Sequence, residues 1–340
     1  MGKKYTWFQS YLSNRSQTVS INSTLSDYND VNIGIPQGSI LGPLLFTVFV
    51  NCLPSNLNCK TVMYADDTSL MCRGKNALDL QVQLESCLRD VANWFQVNKL
   101  TLNVDKTKLM IFGTNHMIDK CSNVTVSYEG NVIEKVDEFK YLGVTFDSKL
   151  TWSTHVNNVC KNVSKRIGVI RRVKYFLPNK TTMRLSNALI MPQFDYGSLV
   201  WNNFSLEQHK RLQVLHNQLA RTILSADIRT PVRDLMDSLK WLKLGDRWDN
   251  QLRVFVFKCL KELTPSYLSS QFQFVHETHS HSTRNSTTNT LVVPKCHANS
   301  GQRTFHVRAA NIWNNISQET RSEFNNMTVM QFKSHIKNIM

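Results

Sequence analysis

Thr61-Val62-Met63-Tyr64-Ala65-Asp66-Asp67-Thr68-Ser69-Leu70-Met71 reads as two short strands meeting at a bend that presents two adjacent carboxylates. Two like charges side by side repel, and any burial penalises both. Sharing a divalent cation is the least costly way to keep them ionised, and hard carboxylate oxygens suit Mg²⁺. A solvated Asp-Asp turn is the alternative, since aspartate is common in turns. The neighbouring sequence argues against it.

Upstream runs Gly34-Ile35-Pro36-Gln37-Gly38-Ser39-Ile40-Leu41-Gly42-Pro43-Leu44-Leu45-Phe46. Glycines let backbone approach a ligand closely, Pro36 stiffens the loop, and Ser39 suits the N-cap of an apolar helix expected over about 40–53. Pro43 then falls in the first turn, where a missing N–H matters little. A helix N-terminus after a glycine-bearing loop favours anions. The apolar stretch is too short to span a bilayer, so a core helix is expected.

These two stretches together resemble motifs B and C of reverse transcriptases, specifically the non-LTR (LINE-type) retrotransposon group, with Tyr64-Ala65-Asp66-Asp67 in the motif C position. Leu102-Asn103 with Lys106-Thr107 is similar to motif D, and Phe139-Lys140-Tyr141-Leu142-Gly143-Val144 to motif E, the primer grip. Trp7-Phe8, Tyr11-Leu12, Arg15 and Gln17 with Val19 look like the stretch that precedes motif B in that group. Ordered motifs at family spacing make chance agreement improbable.

The resemblance implies RNA-templated addition of deoxynucleotides to a primer 3′ end, by two-metal nucleotidyl transfer with Mg²⁺. Asp66 and Asp67 would be the catalytic metal ligands, with Asp67 the weaker. Gly34, Pro36, Gln37, Gly38, Ser39, Tyr64 and Ala65 would line the nucleotide and template. Lys106 would act on the leaving pyrophosphate, although a plain surface lysine fits as well. Phe139, Tyr141, Leu142 and Gly143 would grip the primer, although alternating Tyr and Leu also suit ordinary strand packing. The implied partners are an RNA template, a DNA primer or RNA–DNA duplex, and a dNTP. The implied location is intracellular and nuclear, by resemblance alone.

A two-metal site draws carboxylates from more than one strand, and Asp66 and Asp67 supply one. The family's motif A aspartate is expected before Met1, as are the fingers. Asp27 and Asp30 lie in a polar, loop-like stretch that lacks the motif's apolar neighbours.

Charge placement points to a second surface. Residues 1–150 carry 14 Lys+Arg and 14 Asp+Glu, residues 151–225 carry 11 against 2, and residues 226–340 carry 15 against 9. A basic segment of that density attracts phosphates largely without sequence preference. In it, Val156, Val159, Val163, Ile167, Ile170 and Val173 recur at helical spacing, with Lys161, Lys165, Arg166, Arg171, Arg172 and Lys174 on other faces. These cations are candidates for nucleic-acid backbone contact; a solvated basic helix is the alternative. Further helices are expected over 180–191 and from Ser205, where Ser205 and Gln208 form a capping-box pattern. In the family this bundle would be the thumb.

The expected fold is α+β, a partial polymerase palm with an antiparallel sheet and helices (1–150), then an α-helical thumb (151–260), a linker (261–300) and a small C-terminal cap (301–340). Eight cysteines form no CxxC pair, which favours reduced thiols, and His276, His279, His281, Cys296 and His297 lack the spacing of a zinc site. Without the motif A carboxylate, the isolated chain is expected to be inactive. The alternative is a non-catalytic nucleic-acid-binding module, or a domesticated or pseudogene relic.

Overall fold

A computed structural model describes residues 2–36, 38–278, 289–296 and 299–338, and divides the chain into two units, Met1–Asp137 and Glu138–Met340. The α+β class is as expected: helices accompany small, mainly antiparallel sheets, each of only two strands.

The first unit contains α1 (Lys3–Leu12), β1 (Arg15–Gln17), β2 (Ser20–Ile21), β3 (Thr24–Leu25), β4 (Asn29–Val31), α2 (Gly42–Val50), β5 (Lys60–Tyr64), β6 (Asp67–Met71) and α3 (Ala77–Val97). After α3 come β7 (Lys108–Leu109), α4 (Asn115–Lys120), β8 (Ser127–Tyr128), β9 (Asn131–Val132) and β10 (Glu134–Lys135). Strands pair as β1–β4, β2–β3, β5–β6, β8–β9 and, in parallel, β7–β10.

Helix α3 organises this unit because its apolar residues recur at three and four. Asn76 caps it by accepting the Asp79 N–H at 2.8 Å, and Asp79 lies in the first turn, where a negative charge is favoured. Its first half packs Leu80 and Leu84 on Ile111, Cys121 and Val124. Its second half packs Val91 and Trp94 on Val50, Leu53 and Leu57, with Phe46, Met63 and Leu70 against them.

Helix α2 departs from expectation. It starts at Gly42 instead of Ile40, and only Gly42 and Val50 are buried, so it is a surface helix with one covered stripe. Ser39 still makes a cap-like bond one turn early, accepting the Gly42 N–H at 3.0 Å.

The second unit opens with a hairpin, β11 (Glu138–Tyr141) and β12 (Val144–Asp147), whose turn falls inside the stretch 141–146 that reads as a strand from sequence. Its helices are α5 (Ser153–Val173), α6 (Asn179–Leu189), α7 (Met191–Asp195), α8 (Ser198–Trp201), α9 (Leu206–Leu224), α10 (Val232–Leu239) and α11 (Leu244–Leu260). Short helices follow: α12 (Ser266–Ser269), α13 (Val275–Thr278), α14 (Asn299–Gln302), α15 (Phe305–Asn314), α16 (Gln318–Glu323) and α17 (Val329–Asn338). The capping box at Ser205 and Gln208 is present.

The valine and isoleucine stripe of α5 meets Leu212, Leu219 and Ile223 of α9, with Phe194, Trp201 and Trp248 filling the same core. A second core joins Leu252, Val256 and Phe257 of α11 to Ala309, Ala310, Trp313 and Phe332. Helix α11 therefore serves both cores. The stretch expected as a linker is partly built into the second one: Leu291 is buried, and Trp313 Nε1 donates to the Asn289 carbonyl at 2.9 Å. His279, His281 and His297 lie outside the described residues.

Two polar devices hold the bundle. Asp147 accepts backbone N–H bonds from Lys149, Thr151 and Trp152, at 3.2, 2.9 and 2.7 Å, and so fixes the entry into α5. Arg247 grips Asp195 with two parallel bonds. Nearby His216 is fully buried between Phe194 and Trp241. Burial, then the Arg247 charge, lowers its pKa from 6.5 to about 4, with Asp195 opposing.

Asp147→Ala strands three donors and is expected to cost about 1–3 kcal/mol in chemical denaturation; a smaller loss would show that solvent replaces them. His216 binds its proton more weakly folded than unfolded, so stability is fully present above the unfolded pKa and declines as pH falls from 6.5 toward 4. From pH 7 to 5 this group should remove roughly 2 kcal/mol. His216→Leu should lose less across that interval in parallel melts, and equal losses would place the acid sensitivity elsewhere.

Candidate active site and nucleic-acid interface

Strands β5 and β6 pair from Lys60 opposite Met71 to Tyr64 opposite Asp67, so Ala65 and Asp66 alone turn the chain. Ala65 takes φ +52°, a left-handed conformation for which glycine or asparagine is the usual choice. A side chain there costs on the order of 1 kcal/mol, and such strain gathers at functional positions. Met63 and Leu70 turn to the core, whereas Tyr64, Ala65, Asp66 and Asp67 stay exposed.

Exposure alters the argument for a cation. Both carboxylates are solvated, so desolvation does not demand a metal, and their mutual repulsion is what remains. The donor set still fits Mg²⁺, which keeps several waters and is commonly taken by one or two carboxylates with substrate phosphates. Among the described residues, no third His, Cys, Asp or Glu converges on Asp66 and Asp67; the one such group, with ligand atoms within 4.8 Å of each other, is Cys59, Cys72 and Cys87. Asp27 and Asp30 are exposed and join no such group.

The glycine-bearing loop is held by residues upstream of it. Arg15 Nη2 donates to the Gly34 carbonyl at 2.6 Å and to the Ile33 carbonyl at 3.3 Å. The Tyr11 hydroxyl donates to Ser39 Oγ. Gly34 and Gly38 both have φ +79°, and a Cβ on either would meet nothing within 4 Å, so their backbone is open to a ligand. Pro36 is half-buried, and Gln37 lies outside the described residues. Lys106 is exposed on a turn shaped by Asn103, whose Oδ1 accepts the Lys106 N–H at 3.1 Å.

In the second unit, the β11–β12 hairpin turns on Leu142 and Gly143, at φ +45° and +82°, the signature of a two-residue primed turn. The Tyr196 hydroxyl donates to the Leu142 carbonyl at 2.7 Å, and its ring would lie 3.0 Å from a Cβ at position 143. Gly143 is thus required twice. Phe139 is exposed beside the turn; Tyr141 is half-buried, and its hydroxyl has no partner among the described residues. Sequence reasoning missed Tyr196, which stands alone without periodicity.

The six cations of the basic helix separate into two kinds. Lys161, Lys165, Arg171 and Arg172 are exposed, though Arg172 also bonds back to the Gly168 carbonyl at 3.3 Å. Arg166 donates to the Leu189 carbonyl at the end of α6, and Lys174 bonds the Thr222 carbonyl and Ser225 Oγ at 3.3 and 3.2 Å. The last two therefore also tie helices together. Tyr175 and Phe176, exposed just after α5, were not singled out by sequence and offer faces on which bases could stack.

Residues 1–146 match the family model described as reverse transcriptase (RNA-dependent DNA polymerase). Those residues belong to the reverse transcriptase family. The match runs through the β5–β6 and β11–β12 hairpins. One relative is the RNA-directed DNA polymerase from mobile element jockey of Drosophila melanogaster, 26% identical over 260 residues, covering 72% of this chain and 28% of the relative. Another is the probable RNA-directed DNA polymerase from transposon BS of the same species, 28% identical over 235 residues, 64% of this chain and 25% of the relative. A third is the retrovirus-related Pol polyprotein from type-1 retrotransposable element R1 of Nasonia vitripennis, 27% identical over 205 residues, 58% of this chain and 60% of the relative. The chain spans only 28% and 25% of the lengths of the first two. The resemblance to retrotransposon enzymes is borne out, and no described helix is long and apolar enough to cross a membrane.

Within this reverse transcriptase domain, Gly143→Ala meets both a left-handed backbone and the Tyr196 ring, and should destabilise by about 1–2 kcal/mol. Denaturant midpoints check it. An unchanged midpoint would mean that the turn and Tyr196 move apart freely.

Proposed function

We propose that this chain is the palm and thumb portion of a retrotransposon RNA-directed DNA polymerase, with Asp66 and Asp67 as its Mg²⁺ ligands. The observation that carries this reading is the carboxylate doublet at the tip of a tight hairpin, inside the stretch that matches the family. When bound, Mg²⁺ would neutralise phosphate charge and favour in-line attack on a nucleotide. This chain's own groups would position the substrates: open backbone at Gly34 and Gly38 beside the template and dNTP, the Leu142–Gly143 turn beside the primer, and Lys106 at the leaving pyrophosphate. The exposed cations Lys161, Lys165, Arg171 and Arg172 would follow the duplex backbone.

Asp66 and Asp67 converge with no third carboxylate among the described residues. Residues 1–340 alone are therefore expected to bind nucleic acid without catalysing synthesis. Incubated with Mg²⁺, dNTPs and a primed RNA template, the chain should incorporate nothing above background. Template-dependent incorporation that Asp66→Ala abolishes would overturn this.

Nucleic-acid binding without chemistry is the second reading, supported by the exposed basic face of α5. Its affinity for duplex should fall steeply with salt, and replacing Lys161, Lys165, Arg171 and Arg172 by glutamine should lower the log–log salt slope by about one for each phosphate no longer neutralised. A slope near zero in the unmutated chain would reject the interface.

A further inference from the structure

The base of the β5–β6 hairpin carries a constellation that the polymerase reading does not use. Lys60 and Met71 form the last strand pair, so Cys59 and Cys72 are the next residues in the same antiparallel register. Cross-strand neighbours at such positions hold their Cβ atoms within about 4.5–5.5 Å. Cys87 comes to them from α3, where it is buried one helical step from the Leu84 and Val91 stripe. The three Sγ atoms lie within 4.8 Å of one another. Cys59 and Cys87 are joined as a disulfide, with Cα atoms 6.2 Å apart, and Cys72 remains a free thiol beside them. That joining corrects the expectation that all the cysteines are reduced.

A structural disulfide needs two sulfurs. The third, brought from the other strand of the hairpin, adds nothing to a crosslink and completes a donor set. We propose that, once the disulfide is reduced, Cys59, Cys72 and Cys87 form a three-thiolate site for a soft divalent cation of the Zn²⁺ class, clamping both legs of the hairpin to α3.

The Cys59–Cys87 bond opens to two thiols when a dithiol gives up two electrons and two protons and becomes a disulfide, or when a phosphine gives up two electrons and becomes its oxide while water supplies both protons and the oxygen. The cation then displaces three protons, one from each cysteine, and forms three metal–sulfur bonds. Tetrahedral Zn²⁺ with bonds of about 2.3 Å separates its sulfurs by about 3.8 Å, inside the 4.8 Å that bounds the three sulfurs here. Thiolate sulfur selects Zn²⁺ or Cu⁺ over Mg²⁺, so this site and the carboxylate tip would not compete for one ion. Cys59 and Cys72 are half-buried and leave the fourth position to water.

The test is independent of polymerase activity. The full chain is kept reduced with a phosphine and titrated with Zn²⁺ against a chromophoric chelator, and Co²⁺ reports sulfur ligation by its charge-transfer absorption. One equivalent is expected, with affinity falling tenfold or more in Cys59→Ser, Cys72→Ser and Cys87→Ser, and unchanged in Cys52→Ser and Cys160→Ser. Zn²⁺ should also raise the melting temperature of the reduced chain, reversibly with chelator. Cys87→Ser removes a buried side chain, so the deciding variant is Cys72→Ser, whose retained fold is checked by circular dichroism. Absence of stoichiometric binding, unchanged affinity in folded Cys72→Ser, or equal loss in Cys52→Ser would overturn the proposal.

Discussion

The pairing of Tyr64 with Asp67 fixes where the two carboxylates can stand. Side chains alternate along a strand, so a slip of one residue would turn Met63 and Leu70 away from Val91 and Trp94 and put Val62 and Ser69 in their place. That exchange loses two large apolar side chains from a small core, roughly 1.5–3 kcal/mol each. Register is thus set by packing at the middle of the hairpin. With the register fixed, only Ala65 and Asp66 remain for the turn, and the left-handed Ala65 follows from that shortage of chain.

The helical unit uses the same economy on a larger scale. Helix α11 carries Trp248 into the core built by α5 and α9, and Leu252, Val256 and Phe257 into the core built by α15 and α17. The polar residues of this helix are half-buried, and some of them are paired. Arg247 meets Asp195, and Asp249, its pKa raised by burial, lies in the field of Arg253 and Arg308. Truncating one member of such a pair would leave its partner buried and uncompensated.

Periodicity made the long helices legible. The apolar stripes of α3, α5 and α9 are long enough for spacing alone to decide them, and Ser205 with Gln208 marked its own helix start. The doublet Asp66–Asp67 and the glycine-bearing loop were visible because their residue types are costly without a purpose. What stayed hidden depends on distant partners. Leucine seldom adopts positive φ, so Leu142 does not read as a turn residue; in the structure the Tyr196 hydroxyl holds its carbonyl. Asn289 and Leu291 sit in a polar stretch that reads as loop, and are ordered by Trp313 and Asn314. Cys59 precedes β5, Cys72 follows β6 and Cys87 lies in α3, with long intervals between them, so no spacing rule could join them.

The hairpin that carries the acidic doublet is supported from one direction only. Among the described residues, strands β5 and β6 pair with each other and with no third strand, which leaves an unpaired edge on each. Two-stranded ribbons are marginal in water unless a helix or core covers a face. Here α3 and the stripe of Phe46 and Val50 cover one face, while Leu44 and Val48, one turn apart on α2, remain exposed with Val62 and Tyr64. Order in this hairpin must therefore enter from the core-facing side and from its base, where Cys59 and Cys72 lie beside Cys87. The carboxylates stand at the far end, five residue pairs from that anchor. Small twists at an anchored base grow toward a free tip, so constraints at the cysteine end govern how sharply Asp66 and Asp67 are placed.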